Sequence, residues 1–111
     1  VPARGEIWLA NFNPTQGHEQ AGTRPALIVS ANALNNGPAE LVVVLPLTTR
    51  DRRVPLRVPI EPPNGGVREL SFIMCEMIRS ISTGRLIRLF GTVDERTMHT
   101  VEDRLRILQD L

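Results

Sequence analysis

A few side chains in this sequence have the chemistry to work on a polyanion, and they stand where the sequence marks strand ends. Arg24 precedes Pro25 at the point where a long polar stretch gives way to an apolar run. Thr48 and Thr49 follow the run from Leu41 to Leu47 and lead into Arg50-Asp51-Arg52-Arg53. Glu76 follows Phe72-Ile73-Met74-Cys75, with Arg79 three residues later. An arginine fork can hold two phosphate oxygens at once, and a threonine hydroxyl can donate to another. His18 and Glu19, inside the polar stretch, can take a proton, and an exposed histidine titrates near about pH 6.5. Each of these residues taken singly also has an ordinary structural explanation. Arg24 can pair with a neighbouring carboxylate, Thr48 can close a turn, and Glu76 can be a solvated strand residue. The basic run 50–53 serves equally well as a solvated turn.

Other chemistries find no pattern. His18 and His99 are remote in sequence, and neither forms a ligand-spaced cluster with Cys75, so no metal site or cofactor is expected. There is no glycine-rich phosphate loop ending in lysine, and no strand–turn–helix nucleophile signature. Cys75 is the only cysteine, which precludes an intrachain disulfide and fits a reducing compartment. Inside an apolar run it reads as a buried, inert thiol.

Side chains at strand ends need a sheet to hold them. The 111 residues are enough for one domain, read as spanning 1–111. An apolar fraction of 41% and a charged fraction of 23% are those of a soluble globular chain. The apolar runs are too short to span a bilayer, and the residues after Val1 lack a secretory pattern, so a cytoplasmic protein with no membrane contact is expected. The net charge is only +1, but all thirteen basic residues are arginine. Ten arginines face seven acids before residue 89 and three face five after it, a mildly basic body with an acidic tail.

Glu6 to Ala10 reads as a first strand centred on Trp8. The polar segment from Gln16 to Thr23 reads as a long exposed loop. Ala26 to Val29 is a buried-type strand, Asn32 to Gly37 a turn or single helical turn, and Leu41 to Leu45 the strongest strand. Val54, Leu56, Val58 and Ile60 alternate with Pro55, Arg57 and Pro59, which predicts an edge strand. Pro62 to Gly66 is a turn cluster, and further strands are expected over Ser71–Met77 and Leu86–Val93. Met98, Val101, Leu105 and Leu108 recur at helical spacing, with Asp94 as the N-cap, and the stripe is expected to pack on the sheet. Trp8 and Phe12 read as core. Short strands with Gly/Pro turns and one terminal helix make a mostly β, α+β chain: a small, strongly bent antiparallel barrel with a C-terminal amphipathic helix.

Three segments together resemble a known family. Arg4-Gly5-Glu6-Ile7-Trp8 is followed by Asn13-Pro14-Thr15-Gln16-Gly17-His18-Glu19-Gln20-Ala21-Gly22-Thr23-Arg24-Pro25-Ala26. This is similar to the N-terminal signature of the MazF/PemK/Kid toxins. Leu45-Pro46-Leu47-Thr48-Thr49 resembles their strand-end Pro-x-Thr motif, and Met74-Cys75-Glu76-Met77-Ile78-Arg79-Ser80-Ile81 resembles their later Cys-Asp-Gln-x-Arg motif. The likeness runs over nearly the whole chain. It implies an SH3-like barrel, a homodimer, sequence-specific and metal-independent cleavage of single-stranded RNA (mRNA), and a cognate antitoxin with a disordered acidic tail. It implies Arg24 and Thr48 as the catalytic pair; the chemistry of the residues themselves offers His18 or Glu19 as the base.

The Kid branch is similar in using a loop histidine, an arginine and an aspartate. His18 matches the first, but Met74 and Glu76 stand at the other two positions, so that set is incomplete. Met77 in place of glutamine removes an amide that could touch a base. Arg50, Arg52 and Arg53 are expected to meet phosphates, with Gln20, Thr49, Glu76 and Arg79 as further RNA contacts. The competing reading on the same fold type is a CcdB-like toxin that binds and poisons DNA gyrase and cuts nothing.

Overall fold

The computed structural model describes residues 1–13 and 22–111; the polar stretch that carries His18, Glu19 and Gln20 lies outside the described residues. Among the described residues seven strands form: β1 (Glu6–Asn11), β2 (Thr23–Ile28), β3 (Leu41–Thr48), β4 (Arg57–Ile60), β5 (Ser71–Met74), β6 (Arg79–Ser82) and β7 (Leu86–Thr92). A single helical turn, α1 (Asn32–Asn35), precedes β3, and α2 (Glu95–Gln109) ends the chain. All pairings are antiparallel, in the order β4-β5-β3-β2-β1-β7, with β6 also on β3.

The expected bent barrel is realised as an open sheet that turns sharply along β3. On one side β3 pairs with β2. On the other it pairs with β6 over Leu41–Val44 and then with β5 from Leu47. Pro46 sits in the changeover between those two partners. A residue without an N–H is tolerated there, because no ladder bond is asked of it on that side. This is why the strand runs on through Pro46 to Thr48, three residues beyond the apolar run that predicts it.

The apolar run 71–77 is likewise not one strand. It ends at Met74, turns through a 3₁₀ segment at Cys75–Met77, and resumes as β6. The two strands go to different stretches of β3, and the turn lets the chain step between them. Edge placement for the proline-bearing strand holds, since β4 lies at the end of the sheet. The strand begins only at Arg57, and the residue before it, Leu56, has φ 74°.

β2 and β3 read as continuous apolar runs because both of their faces are covered. Leu27, Leu45, Leu47 and Ile73 pack with Val101, Met98 and Leu105 of α2. Ala26, Ile28, Val42 and Val44 pack on the other face with Phe12, Trp8 and Leu86. Phe12 is wholly buried, which places it in the core. The helical stripe is shorter than its periodicity predicts: Leu108 remains exposed.

Asp94 caps α2, its carboxylate accepting from the Thr97 N–H at 2.8 Å. The Thr97 hydroxyl and, second, that backbone bond hold the Asp94 carboxyl below the usual carboxylate range. Arg4 ties the N-terminus to the same helix, donating to the Glu102 carboxylate at 2.6 Å and to the Val29 carbonyl. Gly66 closes the turn before β5 at φ 77°, with its Cα side pressed onto the Phe90 carbonyl of β7. Among the described residues no helix is long and apolar enough to cross a membrane.

Candidate nucleic-acid interface

The β2–β3 register positions the two residues that the strand-end reading singles out. Ala26 pairs with Pro46, Leu27 with Leu45 and Ile28 with Val44. Carried two residues further, that register sets Arg24 across from Thr48. Alternation puts both on one face of the sheet, Arg24 in line with Ala26 and Ile28, Thr48 with Pro46 and Val44. Arg24 is therefore the second residue of β2, and Thr48 the last of β3, each at the sheet's end and held by it.

These residues open on a groove of about 600 Å³. Arg24 and Pro25 of β2, Leu47 and Thr48 of β3, Thr49, Arg50 and Arg52 of the following loop, Arg57 of β4, and Ser71 and Met74 of β5 line it. Four of these ten residues are arginines and none is acidic, so the groove presents a field suited to a polyanion.

Arg24 is half-buried, and its Nη1 donates to the Leu47 carbonyl at 3.3 Å. Its Nε is buried with no hydrogen-bond partner among the described residues. Burial and, second, the nearby Arg50 charge hold its pKa below the ordinary guanidinium value. Thr48 Oγ1 accepts from the Arg50 N–H at 3.2 Å, which fixes the loop and leaves the hydroxyl proton to donate outward.

Arg24, Thr48, Thr49, Arg50 and Arg52 thus come together as the strand-end reading has it. Arg53 does not join the lining; it is exposed, and its N–H donates to Asp51 at 2.9 Å. Arg79 also lies off the groove, its guanidinium 5.4 Å from the centre of the Phe12 ring. Glu76 does not line the groove either. Its carboxylate accepts from Arg57 Nε and Nη2 at 2.8 and 2.6 Å. His18, Glu19 and Gln20 lie outside the described residues. Cys75 is wholly buried, and burial with the Glu76 charge pushes its thiol up to about 11, as an inert core cysteine requires.

Sequence reading missed Arg57, Ser71 and Met74 as groove residues. Arg57 carries one usable signal: it opposes the apolar parity of Val58 and Ile60 in an edge strand. Its partner, nineteen residues on, has no local signal. Among the described residues no group of three His, Cys, Asp or Glu side chains gathers to hold a metal ion.

A family model described as a PemK-like, MazF-like toxin of type II toxin–antitoxin systems matches residues 3–109. The chain is 32% identical over 113 residues to "Endoribonuclease MazF9" of Mycobacterium tuberculosis, covering 97% of this chain and 96% of that one. The crystal structure of MazF from Deinococcus radiodurans superposes with a TM-score of 0.87 at 28% identity, covering 100% of this chain and 98% of that one. A chain of a MazE–MazF crystal structure from the same organism gives 0.80 at 30% identity, covering 100% of this chain and 97% of that one.

Proposed function

From the premise that this chain belongs to the PemK-like, MazF-like toxin family, we propose that the arginine-lined groove binds single-stranded RNA and cleaves it at a short sequence without a metal ion. The chain is an endoribonuclease toxin of a toxin–antitoxin system. The observation that carries the site assignment is the register that sets Arg24 across from Thr48 at the mouth of a groove without acids. The gyrase-poison alternative has no support: the matched family and relatives are of the endoribonuclease kind.

The chemistry needs no external nucleophile. A 2′-OH gives up its proton to a base, its oxygen bonds to the adjacent phosphorus, and the bond to the 5′ oxygen breaks as that oxygen gains a proton. The products are a 2′,3′-cyclic phosphate and a 5′-OH. Arg24 holds the two oxygens that gain charge in the phosphorane, where preorganised donors are most effective. Its lowered pKa favours a second role, proton donation to the leaving oxygen. Thr48 donates its hydroxyl to the same phosphate. His18 or Glu19 serves as base. The protein works as a homodimer in the cytoplasm, where mRNA lies, and an antitoxin's acidic tail would occupy the same groove.

Incubation of purified protein with a long single-stranded RNA in EDTA is expected to give discrete cuts with 5′-OH ends. Cutting that requires added divalent metal, or that leaves 5′-phosphates, contradicts the internal-nucleophile scheme.

Arg50 and Arg52 are assigned to phosphates flanking the cut. Binding of a non-cleavable RNA should weaken with salt, and each phosphate contact removed should lower the log–log slope by about 0.7. Arg50→Ala and Arg52→Ala should therefore each flatten the salt dependence by about that amount for every sequence tested. An unchanged slope in both variants takes these residues off the backbone path.

A further inference from the structure

We propose that Arg57, fixed by Glu76, is a specificity-determining residue that reads a base with two adjacent hydrogen-bond acceptors on one edge: guanine through O6 and N7, or cytosine through O2 and N3. The inference rests on the ribonuclease reading above and assigns a role within that groove.

Arg57 differs from the other three guanidiniums there. Its Nε and Nη2 both donate to Glu76 Oε2, and its side chain is only 12% exposed. Arg24, Arg50 and Arg52 have no carboxylate partner among the described residues. An arginine that binds phosphate gains from uncompensated charge. A carboxylate at 2.6 Å offsets much of that charge and repels phosphate oxygens nearby. What remains to Arg57 is shape: a planar fork locked in one orientation, with both Nη1 protons and the second proton of Nη2 unspent. Two parallel donors of this kind match two adjacent acceptors. Adenine and uracil have no two adjacent acceptors on one edge, so either would leave a guanidinium proton unpaired in a partly buried site. Bases of single-stranded RNA can be splayed so that such edges are reachable.

Glu76 acts through Arg57 and is a positioning residue. Its second oxygen, Oε1, is buried without a hydrogen-bond partner among the described residues.

The test is kcat/KM on short RNAs in which each position around a mapped wild-type cut is varied through all four bases. The proteins compared are wild type, Arg57→Gln, and Arg57→Gln with Glu76→Gln, the last leaving no lone buried carboxylate. Arg57→Lys keeps the ion pair and is used if the neutral variants do not fold. At one position the wild type should prefer guanine or cytosine over adenine and uracil by about tenfold or more. The variants should lose that preference while keeping those at other positions. Where guanine is the preferred base, replacing it by 7-deazaguanine should cost the wild type much of that factor, and a substitution without cost overturns the O6/N7 reading. Folded variants that keep every wild-type preference and merely cut more slowly overturn this inference alone. A wild-type protein that cuts no RNA overturns the ribonuclease reading and this one with it.

Discussion

Arg24→Ala is expected to lower kcat for RNA cleavage by roughly 10³-fold with a much smaller change in KM. The asymmetry follows from where the charges stand. Arg50 and Arg52 remain in the groove to bind the ground-state phosphodiesters. Arg24 is the one set across from Thr48 by the strand register, half-buried, with an Nε that has no partner among the described residues. Its fork matters most when a second negative charge develops on phosphorus. Loss of one preorganised donor in a shielded site costs roughly 10²- to 10³-fold, and this residue also carries a full charge.

Arg24→Lys keeps the charge but loses the planar fork, and is expected to recover only part of the rate. Thr48→Ala removes one neutral donor and should cost less than Arg24→Ala, and Thr48→Ser should restore most of the activity. Single-turnover cleavage of one short RNA, with folding checked by circular dichroism, separates these cases. If Arg24→Ala cleaves within a few-fold of wild type, the phosphorane is stabilised by another group and the assignment of Arg24 is wrong.

The second large effect is on stability. A Cβ at position 66 would lie 2.2 Å from the Phe90 carbonyl oxygen and 2.6 Å from its carbon, both backbone atoms that cannot rotate away. The residue also holds φ at 77°, a region that side chains other than glycine rarely adopt. Strained φ and overpacking each cost about 1–3 kcal/mol. Gly66→Ala should therefore destabilise by roughly 3 kcal/mol or more and lower Tm by roughly 10–20 °C. Gly84→Ala is the matched control: its Cβ would sit 3.5 Å from the Ser82 hydroxyl, an ordinary contact. Thermal melts of the two variants beside wild type suffice. A Gly66→Ala protein that melts within two or three degrees of wild type would mean that this turn does not press on β7.

The linear chain determined what depends on local pattern. The β-branched run at 41–45, the helical period after Asp94 with its cap, and the prolines that mark β4 as an edge all act over a few residues. Each was therefore legible without knowing the fold. Arg24 and Thr48 were legible too, because both border the strands that carry them to the groove and both sit in strings that resemble a family signature.

Tertiary structure decided what depends on segments far apart in the chain. Pro46 continues a strand only because β3 changes partners there. Ser71–Met77 breaks at Cys75 because β5 and β6 pair with different stretches of β3. Arg53 and Arg79 have the right charge, but one is left exposed in a loop and the other is drawn over the Phe12 ring. Arg57 enters the groove and Glu76 turns to hold it because the β4–β5 register places Arg57 beside Met74, just before the turn that carries Glu76. Periodicity shows which face a residue occupies; which residue it meets across the sheet is set by register and by the bend of β3.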